Sequence, residues 1–101
     1  MIEEDFTRDW CDAQLHGVVW ENSGRDLVLN TLQANDGSLR GVRFGWVHEL
    51  AIRLDFGKIV AGMPLVWAAE FERLPSSEIR VLVDFGGVGD IRFICSDADV
   101  L

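Results

Sequence analysis

The side chains with reactive potential are few, and their spacing suits no reaction centre. Asp12 and His16 stand four apart, which on a helix would set a carboxylate beside an imidazole for metal binding or general-base work. His16 instead falls in an alternating apolar–polar run, where strand geometry separates the two. His48-Glu49 is the other imidazole–carboxylate pair, and no His or Cys spacing matches a zinc motif. Glu70, Glu72, Asp84 and Asp90 offer the paired carboxylates of sugar hydrolysis, although acidic strands generate such pairs without purpose. Gly86-Gly87-Val88-Gly89 follows a strand pattern as a phosphate loop would. Asp90 and a second strand pattern come next, however, where a lysine and a helix start are needed. Ser76 and Ser77 lack the glycine spacing of a nucleophile elbow, and Asp97 with Asp99 lacks the glycine of a calcium loop. No catalytic, metal-binding or cofactor-binding residue is assigned.

The elements that must position these side chains read as strands. Ile79, Val81, Val83 and Phe85 share one face against Arg80 and Asp84, and beyond the glycines Ile91, Phe93 and Cys95 alternate with Arg92. Further strands are expected over 13–21, 26–34, 39–46 and 50–54, with Asn35-Asp36-Gly37-Ser38 the strongest hairpin signal. The stretch 59–74 reads two ways. Leu65, Trp67, Ala69 and Phe71 alternate with Glu70 and Glu72 as a strand, whereas Pro64 and Ala68-Ala69-Glu70 suit a helix. The period-two count favours the strand. Residues 5–12 suit a short helix or ordered lead-in, with Asp5 as cap and Phe6 and Trp10 on one face. The expectation is a single mainly β domain spanning residues 1–101. Its architecture would be an antiparallel meander of six or seven strands forming a strongly twisted sheet, sandwich or partial barrel. The alternative is an α+β arrangement with a helix near residues 63–74.

Composition narrows the partners. Seventeen acidic residues against nine basic ones give a net charge of -8, with an isoelectric point of about 4.5. Such a surface repels nucleic-acid phosphates and anionic membranes and attracts a basic protein. Hydrophobic residues make up 49% of the chain, mean hydropathy is +0.14, and four Trp and six Phe exceed what one small core readily hides. A second copy covering leftover apolar surface, a homodimer, is therefore expected. Residue preferences place most of the four Trp in the core, and one or two Trp are expected as surface anchors. Two cysteines make no disulfide scaffold, the acidic start is unlike a signal peptide, and no apolar run approaches the ~20 residues of a membrane span. A cytoplasmic protein with Cys95 as a buried thiol is the expectation.

The pattern Trp10-x-Asp12-Ala13-x-Leu15-His16, the Asp36-Gly37 hairpin, Val42-x-Phe44-x-x-Val47-x-x-Leu50-x-Ile52 and the ending Gly89-x-Ile91-x-Phe93-x-Cys95 resemble small uncharacterised bacterial β-rich domains. Some of those are associated with polymorphic-toxin immunity. The resemblance implies an antiparallel fold and a binding role, and carries over no catalytic residue. The functional expectation is a non-enzymatic protein-binding module for a basic partner, with Trp10, Asp12, Trp20, Trp46, Trp67, Glu70 and Glu72 as its contact residues and no cofactor. The alternatives are a homo-oligomeric structural domain and a small sugar- or lipid-binding or hydrolytic β-barrel.

Overall fold

Alternation decides the local structure of most strands. The computed structural model describes residues 10, 12–33, 37–55, 57 and 64–101, and within them the chain forms eight strands. These are β1 (Gln14–Glu21), β2 (Asp26–Leu32), β3 (Leu39–Gly45), β4 (His48–Leu54), β5 (Ala68–Arg73), β6 (Ile79–Asp84), β7 (Gly89–Cys95) and β8 (Asp97–Val100). They assemble into two four-stranded sheets, ordered β1-β2-β3-β8 and β4-β7-β6-β5, with every pairing antiparallel.

One face of each sheet is apolar, and the two apolar faces meet. Leu27, Leu29, Val42, Phe44 and Ala98 from the first sheet pack with Val81, Val83, Ile91, Phe93 and Cys95 from the second. Phe44 and Phe93 close the contact edge to face, with ring centroids 4.9 Å apart and planes at 81°. Trp10 and Phe71 lie 6.4 and 6.5 Å from Phe44, completing an aromatic cluster in which Phe44 is fully buried. Burying a side chain of this size contributes roughly 2–3 kcal/mol. This cluster therefore holds the layers together more than any hydrogen bond between them.

Two strand pairs cross from one sheet to the other at a shared corner. Gly45 pairs with Asp97 at the end of the β3–β8 ladder, His48 pairs with Ile94 at the start of β4–β7, and the Ser96 N–H donates to the Gly45 carbonyl at 2.9 Å between them. Gly45 permits this because the Asp97 carboxylate occupies the space a Cβ would need. On the opposite side, residues 64–66 tie the sheets together. Asp12 N–H donates to Val66 O and Val66 N–H to Ala13 O, both at 2.8 Å, and Leu15 N–H donates to Pro64 O at 2.9 Å.

The mainly β expectation holds, with corrections in detail. The order is two sheets with crossing strands where a meander was expected, and β8 is an added strand. Its Asp97-Ala98-Asp99 run buries only Ala98, so periodicity shows little there. Over residues 64–74 the favoured strand reading holds, as an extended approach and β5, and the alternative helix near 63–74 does not form there. Helix preference amounts to tenths of a kcal/mol per residue, and pairing β5 with β6 while packing Ala69 and Phe71 against the core outweighs it. The expected N-terminal helix falls mostly on residues outside the described ones; Trp10 and Asp12 themselves sit in turns. The glycine-rich segment is a hairpin between β6 and β7, as expected, with Phe85 N–H donating to Gly89 O at 2.9 Å.

Candidate functional site

Strands expose whatever occupies their outward positions, so the outer face of the β4-β7-β6-β5 sheet can be built residue by residue. Arg80, Leu82 and Asp84 of β6 point away from the core, as do Asp90, Arg92 and Ile94 of β7 and Glu70 and Glu72 of β5. Leu82 and Ile94 put aliphatic side chains on the two central strands where the alternation calls for polar ones. With Ala51 they floor a shallow depression of about 480 Å³, rimmed by Glu49, Glu70 and Glu72 and crossed by Arg80 and Arg92. Glu49 reaches the rim because β4 bulges between His48 and Ala51, where its backbone turns left-handed at φ 53°.

The charges there are unevenly matched. Arg80 donates to Glu72 at 2.8 Å, and Arg92 approaches Asp90 at 3.5 Å. Glu49 lies 3.9 Å from the His48 ring, while Glu70 makes no ion pair among the described residues. The rim thus presents carboxylates around an aliphatic floor. Such a surface can take an extended segment whose aliphatic side chain sits on Leu82 while a lysine or arginine meets Glu70.

Several other titratable groups make contacts within the fold. Asp26, 3% exposed at the start of β2, accepts from Arg25 through both carboxylate oxygens at 3.0 Å, from the Asn22 side-chain amide, and from the Trp46 N–H at 3.2 Å. Hydrogen bonds from Arg25 and then Asn22 hold its carboxyl far below the usual carboxylate range. Trp46 has φ 57°, an uncommon backbone for so bulky a residue, and it is fixed there by Asp26 and by Arg25 lying 4.6 Å from its ring centre. His48 meets Glu78 at 2.8 Å, a contact that lowers the Glu78 pKa, and His16 meets only the Gln14 side chain at 3.3 Å. Burial, with Asp97 and Glu78 adding to it, pushes the Cys95 thiol up to about 12, so it is not a nucleophile near neutrality. No cluster of three or more His, Cys, Asp or Glu suited to a metal ion occurs among the described residues.

The expected contact residues are dispersed. Glu70 and Glu72 share the depression. Trp10 is 2% exposed and belongs to the aromatic core, so it cannot serve a partner at the surface. The other three Trp reverse the expected balance: Trp20, Trp46 and Trp67 are 49%, 58% and 73% exposed. The reason is placement. Trp20 sits on an edge strand beyond the opposing layer, and Trp46 and Trp67 lie at a sheet corner and a strand approach. Asp12 is exposed at a turn, its N–H bonded to Val66, away from the depression. Glu49, Leu82 and Ile94 were not among the expected residues, although an aliphatic side chain in the outward register of β6 and β7 is a readable signal.

No family model matches the chain, and no curated protein matches it. Among solved structures it is similar to an uncharacterized protein from Neisseria gonorrhoeae, at a TM-score of 0.70 and 9% identity, covering 89% of this chain and 90% of that one. At that identity the likeness defines the class as a shared two-sheet β fold, and extends no further.

Proposed function

We propose that this protein is a non-enzymatic binding module for a basic protein segment, and that the outer face of the β4-β7-β6-β5 sheet receives it. The observation that carries this reading is the aliphatic floor of Leu82, Ile94 and Ala51 among Glu49, Glu70 and Glu72, where Arg80 and Arg92 also lie and Arg80 pairs with Glu72. The net charge of -8 draws a cationic partner to the protein as a whole. The space between the layers is filled by Phe44, Phe93, Leu27 and Leu29, which leaves exterior faces as the surfaces for recognition. Neutralising a basic protein by covering its cationic surface, as an immunity protein does with a toxin, fits this chemistry.

Paired affinity baits test it. Wild-type protein and a Leu82→Asp/Glu70→Lys variant are exposed to lysate at low and moderate salt. A cationic protein retained by the wild type, weakened by salt and lost from the variant supports the proposal. Equal retention by both baits, or no salt-sensitive partner on the wild type, refutes it.

A further inference from the structure

Among the described residues, strand β1 leaves one backbone edge open. Gln33 N–H donates to Ser38 O at 2.8 Å, which marks 33 and 38 as a bonded pair in the β2–β3 ladder. Bonded pairs recur at every second residue, so Leu27, Leu29 and Thr31 turn their backbone groups toward β3 and Asp26, Val28 and Asn30 toward β1. Within β1, then, Gly17, Val19 and Glu21 bond β2, while Val18 and Trp20 aim their N–H and C=O groups outward. Residues 64–65 cover that edge as far as Leu15. From His16 to Glu21 no described strand does.

The side chains along this stretch are apolar on both faces. Val18 and Trp20 share the face of Leu29 and Leu27 yet remain 37% and 49% exposed, and Val19 on the opposite face is 44% exposed. Sheet edges are ordinarily protected by lysine, proline or an inward charge. Residues 17–20 contain none of these. Glu21, which flanks this stretch, accepts from Arg43 at 2.8 Å.

We infer that a second copy of this chain pairs antiparallel with β1 across a two-fold axis at Val19. The register is fixed by the outward groups. Val18 bonds Trp20 of the second copy, Trp20 bonds its Val18, and the two Val19 side chains meet at the axis as a non-bonded pair. Both Val–Trp contacts are cross-strand pairs of the favourable β-branched–aromatic kind. Glu21 faces Gly17 of the other copy, so no carboxylate confronts another despite the charge of -8 on each chain. Among the described residues the open edge runs from 16 to 21, and the pairing needs 17 to 21, so the second copy fits between the Leu65 bridge and the turn at Asn22. The product is one continuous eight-stranded sheet with a two-fold axis, a closed arrangement that does not propagate.

Light scattering on the purified chain, with Val19→Lys and Ile52→Lys beside the wild type, tests the inference. The wild type and Ile52→Lys are expected at twice 11.3 kDa, and Val19→Lys at 11.3 kDa or with dimer affinity at least tenfold weaker. Amide hydrogen exchange supplies the second readout: Val18 and Trp20 are protected in the wild type and exchange freely in Val19→Lys, whose circular dichroism is unchanged. In a Cys11→Ser background, Val19→Cys forms an intermolecular disulfide, since non-bonded antiparallel partners stand about 4.5 Å apart at Cα. A monomeric wild type at every concentration overturns the inference. So does a dimer indifferent to Val19→Lys, or protection of Val18 and Trp20 that arises only when a different protein is added.

Discussion

Replacing Phe44 probes the contact on which the two layers depend. The ring is fully buried on β3, edge-on to Phe93 at 4.9 Å and within 6.5 Å of Trp10 and Phe71. Truncation to alanine removes the transfer energy of the ring and leaves a cavity walled by three other aromatics. Phe→Ala changes of this kind destabilise by about 3–5 kcal/mol. With the surroundings relaxing only partially around such a gap, the expectation here is about 4 kcal/mol. Phe44→Leu retains most of the volume and forfeits the ring geometry; at about 0.5–1.5 kcal/mol for the best pair plus a small packing loss, it should cost about 1.5 kcal/mol. For a domain of this size each kcal/mol lowers Tm by about 4–8 °C, so the leucine variant melts roughly 6–12 °C below the wild type. Urea unfolding followed by circular dichroism measures both values, and a cycle with Phe93→Leu isolates the pair. The expected coupling is about 1 kcal/mol. A Phe44→Ala loss below about 1.5 kcal/mol, or zero coupling to Phe93, would refute the account of how the sheets are joined.

Other predictions follow from single features. The folded Cys95 thiol titrates at about 12 against a reference of 9.0, so its burial adds stability that is complete below pH 9 and fades as pH rises toward 12. The slope in that window is about 1.4 kcal/mol per pH unit, and Cys95→Ala should flatten the alkaline limb of a plot of Tm against pH. Asp26 behaves in the opposite sense: its depressed pKa contributes stability above the unfolded value of about 3.9, and that contribution disappears as pH falls below it. Asp26→Asn should therefore lower Tm at neutral pH and leave it less sensitive to acid. Gly89 has φ 142° with the Arg53 carbonyl oxygen where a Cβ would stand, so Gly89→Ala should destabilise by at least about 2 kcal/mol in urea unfolding.

Period-two patterning exposed most of this fold because β6 and β7 place Ile79, Val81, Val83, Ile91, Phe93 and Cys95 in strict alternation. Strand partners were less legible. Whether β4 pairs with β3 or β7 depends on the corner at Trp46 and Ser96, where a carboxylate twenty residues away, Asp26, holds the Trp46 backbone in place. The exposure of Trp20 likewise depends on how far the opposing sheet extends, which no local pattern encodes. Glu70 and Glu72 could be singled out from charge alone. Leu82 and Ile94 are less legible, since an aliphatic residue in an otherwise alternating strand reads as a continuation of the core, and only the register places it outside.

Chemical-shift mapping with an alternating lysine–leucine pentapeptide tests most directly that the outer face of the β4-β7-β6-β5 sheet is the recognition surface. The account predicts saturable, salt-sensitive shifts at the amides of Glu49, Ala51, Glu70, Leu82 and Ile94, and none at Val28 or Asn30 on the other sheet. Shifts concentrated on the β1-β2-β3-β8 sheet, or scattered evenly over the acidic surface, would contradict it.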